Sequence, residues 1–223
     1  MALFGNLFGK KESGAGSLKN AAAGQYVEFG VFPQGKDGKK LSPVSWLVLE
    51  KKGSRLLLIS RYALACRQFN TAKTTWDGTI GWEKSSLRAW LNGEYLDRFF
   101  SPEEKAMITE SDVPADPNPD FKDITPGNAT RDRVFLLSIR EAEKYFPNDE
   151  ARKCPLTKFA LACGAWSPDK DNQPCGRWWL RTPGYNQNRN ACVECSGNIL
   201  TGGNEVDDDT SCCIRPAIWV DAG

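Results

Sequence analysis

The chain is most constrained near its C-terminus. There Arg177-Trp178-Trp179-Leu180-Arg181-Thr182-Pro183-Gly184 and Ile214-Arg215-Pro216-Ala217-Ile218-Trp219-Val220 bracket a segment of different composition. Both brackets combine aromatic and β-branched residues with Pro and Gly placed to turn the chain, so they read as core strands with a corner. The segment between them is crowded with Asn, Asp, Ser, Gly and Cys, which suit solvated loops and fit a core poorly. A scaffold that holds such a stretch at its surface is usually built to present it, which makes binding the leading expectation.

With 223 residues, 40% of them hydrophobic, the chain suits one largish domain and can bury a substantial core. Lys and Arg number 29 against 28 Asp and Glu, a formal net charge of +1, and no basic run compensates. That balance leaves no electrostatic footprint for nucleic acid. Histidine is absent, which excludes His-dependent triads, His metal ligands and imidazole acid-base chemistry. Cys66, Cys154, Cys163, Cys175, Cys192, Cys195, Cys212 and Cys213 occur without a secretory signal, so most thiols are expected to be free. No apolar run approaches the length of a membrane span.

Residues 1–24 read as a flexible leader, in which Leu3, Phe4, Leu7 and Phe8 share one helical face ahead of Lys10 and Lys11. Membrane contact is expected only through this leader, if at all; a frayed terminus is the plainer reading. From residue 25 to 223 the chain reads as a single domain. Residues 26–32, 45–49 and 55–59 have strand character, separated by turn signals. Residues 82–96 carry Leu87, Trp90, Leu91 and Tyr95 at helical spacing after Ser85 and Ser86, closing at Asn92-Gly93 or shortly after. Ser101-Pro102-Glu103-Glu104 and Ser138-Ile139-Arg140-Glu141 are capping boxes, and residues 157–163 read as a further helix ending at Gly164. Residues 111–133 look like a solvated loop; Asp112, Asp116, Asp120 and Asp123 lack the alternation and closing Glu of a calcium loop.

Cys192, Cys195, Cys212 and Cys213 are spaced as a four-thiolate zinc site would be. Against this, successive residues of a strand point to opposite faces, so the four do not easily converge. No metal or other cofactor is expected. Asp207, Asp208 and Asp209 are more simply a hydrated acidic run than a catalytic set. Of the adjacent Trp178 and Trp179, one must face the core, and Trp179 is the better candidate.

Val27, Phe29-Gly30, Pro33-Gln34, Trp46, Val48-Leu49, Leu58-Ile59-Ser60 and Trp82 lead into Ser85-Ser86-Leu87-Arg88, Trp90-Leu91-Asn92 and the two brackets. In this order they resemble an uncharacterised microbial domain family with an α+β, C-type-lectin-like fold. Members with this ending are similar to the variable proteins of diversity-generating retroelements, microbial or viral, in which adenine mutagenesis rewrites codons near the 3′ end of the gene. The resemblance implies a variable region at about residues 178–218 and ligand contacts from Trp178, Tyr185, Asn186, Asn188, Arg189, Asn190, Cys192, Cys195, Ser196, Asn198, Asn204, Asp207, Asp208, Asp209, Thr210, Ser211 and Cys212. Ala191, Val193, Gly197, Val206, Arg215, Pro216 and Ala217 look like the fixed frame, while Glu194 and Glu205 fit a rewritten Asn codon less well.

Calcium-dependent lectins of this fold carry Glu-Pro-Asn or Gln-Pro-Asp; here Gln173-Pro174 is followed by Cys175, which disfavours calcium-mediated sugar binding. The expected function is therefore non-catalytic binding or display, with a protein or cell-surface ligand as partner and a cytoplasmic or virion-associated location. The alternative is a metal- or thiol-dependent enzyme of the related formylglycine-generating-enzyme-like fold, using the C-terminal cysteines.

Overall fold

A computed structural model of the chain describes residues 18–71, 81–172, 174–208 and 212–223, and its fold is α+β. The three N-terminal strands anticipated from sequence are β1 (Tyr26–Pro33), β2 (Leu41–Lys52) and β3 (Arg55–Ser60). Lys52 pairs with Arg55 across a two-residue loop, and Gly53 in it has φ +60°, the left-handed conformation such hairpins require. Downstream come β4 (Ile108–Thr109), β5 (Ser111–Val113), β6 (Thr130–Asp132), β7 (Val134–Phe135), β8 (Trp178–Pro183), β9 (Arg189–Val193), β10 (Ile199–Glu205) and β11 (Ala217–Asp221). One antiparallel sheet runs β1-β2-β3-β11-β4, with β7 also on β11; a second runs β10-β9-β8; β5 and β6 form a ribbon.

The two brackets, both read from sequence as core strands, enter different sheets. The first becomes β8 in the small sheet, whereas β11 enters the middle of the large one, where Ala217, Ile218 and Val220 are fully buried. A strand with apolar residues on both faces is stable only where both faces are covered. Isolated bridges from Cys213 to Cys66 and to Trp178 tie the sheets together.

Ser85 caps α1 (Ser86–Trp90), its Oγ accepting the Arg88 N–H at 3.1 Å. The helix runs past Asn92-Gly93, where the sequence has it closing there or shortly after; it widens into a π turn over Leu91–Tyr95 and continues as α2 (Leu96–Phe99). Asn92 explains the widening. Its amide donates to the carbonyls of Arg88 (3.2 Å) and Val134 (2.8 Å), and its oxygen accepts the N–H groups of Arg133 and Val134. A residue that reads as a helix breaker is the clip that holds the helix to β7.

Both capping boxes form, Ser101 with Glu104 opening α3 (Pro102–Met107) and Ser138 with Glu141 opening α4 (Ile139–Tyr145). Asn148 caps α5 (Asp149–Arg152), a turn not anticipated from sequence, and Thr157 caps α6 (Lys158–Ala162). In the core, the indole N–H groups of Trp46, Trp178 and Trp179 donate to the carbonyls of Phe29, Arg152 and Arg67 at 2.6, 3.1 and 2.8 Å. Asp132, almost wholly buried, accepts from Trp82, Arg88 and Thr130 at 2.6–2.8 Å. The ordered motif from Trp82 to Asn92 is therefore caps, core and clips.

Residues 111–133 are less loop-like than expected, beginning and ending in the β5–β6 ribbon. Their acids disperse: Asp112 lies 3.6 Å from Arg131, whereas Asp116 accepts from Ser138 Oγ at 2.6 Å and pairs with Arg181 at 3.3 Å. Residues 18–24, assigned from sequence to the leader, pack on the large sheet. Ala21 is buried, Lys51 donates to the carbonyls of Lys19 and Ala21, and the Gly24 N–H donates to Val48 at 2.8 Å. Leu3, Phe4, Leu7, Phe8, Lys10 and Lys11 lie outside the described residues, as does Gln173. Among the described residues no helix is long and apolar enough to cross a membrane.

Candidate ligand-binding face

The small sheet has its two turns at opposite ends. Residues 184–188 link β8 to β9 at one end, and residues 194–198 link β9 to β10 at the other. At the first end the Pro183-Gly184 corner is tight: a Cβ on Gly184 would run into the Gly202 carbonyl oxygen. The Gly184 N–H donates to Arg189 at 2.8 Å, that of Tyr185 to Gly202 at 3.2 Å, and that of Val206 to Asn188 at 2.9 Å. The chain leaving β10 is thereby stitched to the loop. Gly203, at φ +75°, lies so close to the Asn190 carbonyl that no side chain would fit. From below, buried Asn118 donates to the carbonyls of Pro183 (2.7 Å) and Thr201 (2.9 Å).

On this base stands a group of side chains. Tyr185 is 46% exposed, its ring 6.1 Å from that of Phe121 and 5.2 Å from the Arg189 guanidinium. Arg189 also donates to the Gly203 carbonyl and pairs with Glu205 at 3.4 Å. Asn186 and Asn188 lie in the same loop, and Asp207 and Asp208 follow Val206, whose N–H donates to Asn188; all four are half-buried. This end offers an aromatic ring, a cation, carboxylates and amides on a backbone held by hydrogen bonds.

Other positions named from sequence do not join this group. Trp178, Asn190, Cys192 and Cys212 are fully buried and present no side chain to a ligand, a correction to the expected contact set. The Trp178 ring packs with Phe146, at 6.2 Å, and with the Arg215 guanidinium, at 4.8 Å, which itself touches Phe146. The Asn190 amide donates to the Leu180 carbonyl. Asn204 turns its amide towards Cys192 and Cys212 (3.3 and 3.2 Å to the sulfurs) and serves the interior. Cys195, Ser196 and Asn198 lie in the opposite turn, where Cys195 approaches the Trp166 carbonyl at 3.9 Å. Asp209, Thr210 and Ser211 lie outside the described residues. The residues read as frame, Ala191, Val193, Gly197, Val206, Arg215, Pro216 and Ala217, are all buried.

The four cysteines of the zinc hypothesis divide. Cys192 approaches Cys212 beneath Asn204, Cys213 turns to Cys66 with the sulfurs 3.0 Å apart, and Cys195 is elsewhere. Among the described residues no three Cys, Asp or Glu side chains are placed to share an ion. The thiols are also reluctant to ionise. The hydrogen bond to Cys212, then burial, push Cys192 well up; the bond to Cys66, then burial, do the same for Cys213. Burial raises Cys195 and Cys175 as well, and takes Cys154 up to about 11.

Two features escaped sequence reading. Phe121 backs Tyr185 from a stretch without periodicity, and Trp166 is 53% exposed in an irregular segment, with Arg177 5.7 Å from its ring. The only signal for either was a lone aromatic residue among turn formers. Residues 53–222 match a family described as a domain of unknown function, DUF6273. No curated protein and no solved structure matches the chain.

Proposed function

The chain belongs to the DUF6273 family, and from that premise we propose that it is a non-catalytic ligand-binding protein acting through the face around Tyr185. The observation that carries this is the gathering of Tyr185, Asn186, Asn188, Arg189, Asp207 and Asp208 on a backbone fixed by Gly184, Gly203 and Asn118. An exposed aromatic anchor amid adaptable polar groups is the composition of a paratope. Its partner is a protein or cell-surface ligand, which takes up the Tyr185 ring and meets the mixed charges at its rim.

The wider reading is a C-type-lectin-like domain serving as the variable protein of a diversity-generating retroelement. The separation of side chains at this face from buried frame residues such as Ala191 and Val193 supports it, because diversification needs positions that can change without unfolding the protein. The diversified set is then narrower than composition suggests, omitting Trp178, Asn190, Cys192 and Cys212.

The test is to sequence the neighbouring DNA. A reverse transcriptase gene and a near-copy of the coding region for residues 178–218 are expected, differing at adenines and chiefly in the codons of the exposed face. Absence of such a copy removes the retroelement reading. Binding itself is tested by exchanging the six face residues together: a selected ligand should lose affinity while the fold is retained.

A further inference from the structure

A second concave site lies away from the Tyr185 face. A cleft of about 550 Å³ is walled by Tyr26, Arg61 and Tyr62 of the large sheet and the segment after it, by α5 with the segment after it, and by Pro168, Asp169, Asn172, Pro174 and Cys175, with Cys195 at its side. That volume falls in the range of small-molecule sites. Its chemistry is unusual in one respect: Arg215, only 3% exposed, lines it.

The Arg215 guanidinium stacks on Phe146 (5.0 Å) and Trp178 (4.8 Å), its Nε donates to the Ser60 carbonyl at 3.1 Å, and its Nη1 donates to the Arg152 carbonyl at 3.3 Å. Among the described residues no carboxylate pairs with it and no acceptor takes Nη2, and the residue lines the cleft. A buried cation held only by carbonyls and ring faces is incompletely compensated, and an arriving anion would supply the missing partner. Arg181 shows the contrast, being equally buried but paired with Asp116 and Glu141.

The rest of the lining agrees. Arg61 adds positive charge, Lys153 and Glu150 pair with each other at 2.7 Å, and the Asp169 carboxylate accepts from the Asn172 N–H at 3.2 Å, which leaves three cations against two anions in the lining. Burial pushes Tyr26 and Cys175 up; Arg61 and then Arg215 oppose it at Tyr26, and Lys153 and more weakly Arg215 at Cys175. Leu156 and Pro174 with the tyrosine rings provide apolar wall.

We propose that this cleft binds a small organic anion, whose carboxylate or phosphate head sits on Arg215 Nη2 and whose apolar body lies against Leu156 and Pro174. Arg-anion hydrogen bonds in a partly dry site are strong and directional, so an aromatic or aliphatic anion suits it better than inorganic phosphate.

The thiols of Cys175 and Cys195 line the cleft and provide a local reporter. Benzoate and phenyl phosphate serve as probes on the full chain, with benzyl alcohol as neutral control and Cys66, which does not line the cleft, as a reference thiol. At about ten times the dissociation constant, the bound anion should slow maleimide alkylation of Cys175 and Cys195 about tenfold and leave Cys66 unchanged. Calorimetry on Arg215→Met should show binding lost. If that variant does not fold by circular dichroism, Arg61→Met and Lys153→Met replace it and should each weaken binding severalfold. Equal protection by benzyl alcohol, no protection by either anion, or undiminished affinity in the folded variants would each overturn the proposal. Because none of the six face residues lines the cleft, failure here leaves the Tyr185 face untouched.

Discussion

Arg181 illustrates how much one side chain decides here. It enters the core as a charge, and each part of its fork finds an acceptor: Nε the Pro114 carbonyl at 3.1 Å, Nη1 the Leu136 carbonyl at 2.8 Å and Glu141, Nη2 Asp116 at 3.3 Å. Removing it leaves those carboxylates facing an apolar side chain. Arg181→Met is expected to lower stability by about 3 kcal/mol, read from the urea unfolding midpoint, since breaking one partner of a buried pair costs more than the pair itself contributes. Cys154 makes a pH prediction. Burial raises its thiol from an ordinary 9.0 to about 11, so the folded chain holds this proton more tightly than the unfolded one. Its contribution is complete below the unfolded value and is lost as pH rises through the folded one. Stability should therefore fall between pH 9.0 and about 11, with a shallower slope in Cys154→Ala. An unchanged slope in that variant would place the titration elsewhere.

At the scale of elements, short segments are fixed by single side chains reaching between them. Asn92 joins the π turn to β7, Asn118 joins residues 111–133 to β8 and β10, and Arg152 of α5 donates to the Gly197 carbonyl at 2.9 Å in the β9–β10 turn. Gly197 shows how close that last contact is. Its φ is +90°, and a Cβ would collide with the Asp149 carbonyl oxygen, whereas Gly24, at φ +86°, has open space around it. Both alanine substitutions carry left-handed strain, but only Gly197→Ala adds a backbone clash. It should cost at least about 2 kcal/mol more than Gly24→Ala in chemical denaturation. Equal costs would mean that the turn moves away from α5 without penalty.

At the scale of the whole molecule, the large sheet and its helices form a frame on which the small sheet is mounted, joined through Cys213, Trp178 and Arg215. Tolerance to change should follow this division. Replacing Tyr185, whose ring is 46% exposed, by Ser should shift stability by no more than about 1 kcal/mol, as changes near the surface usually do. Asn190→Ser should cost more, because it removes a fully buried amide that donates to Leu180. Thermal melts of the two variants make the comparison directly, and the reverse order would contradict the assignment of face and frame.

Local chemistry was legible in the sequence alone: the β1–β3 meander, the capping boxes at Ser101 and Ser138, Ser85 as cap, and the turn character of residues 184–188. Each is decided by residues a few positions apart, through backbone preference and side-chain hydrogen bonds that need no distant partner. Tertiary structure alone decided that the two brackets enter different sheets, that Asn92 clips a helix instead of ending it, and that Asn190 and Cys192 face inward. It also brought Phe121 under Tyr185 and Arg215 to the cleft. Asn and Asp carry the same local signal whether they cap, clip or face solvent. What distinguishes them is which carbonyl or charge the rest of the chain brings within reach, and composition does not encode that.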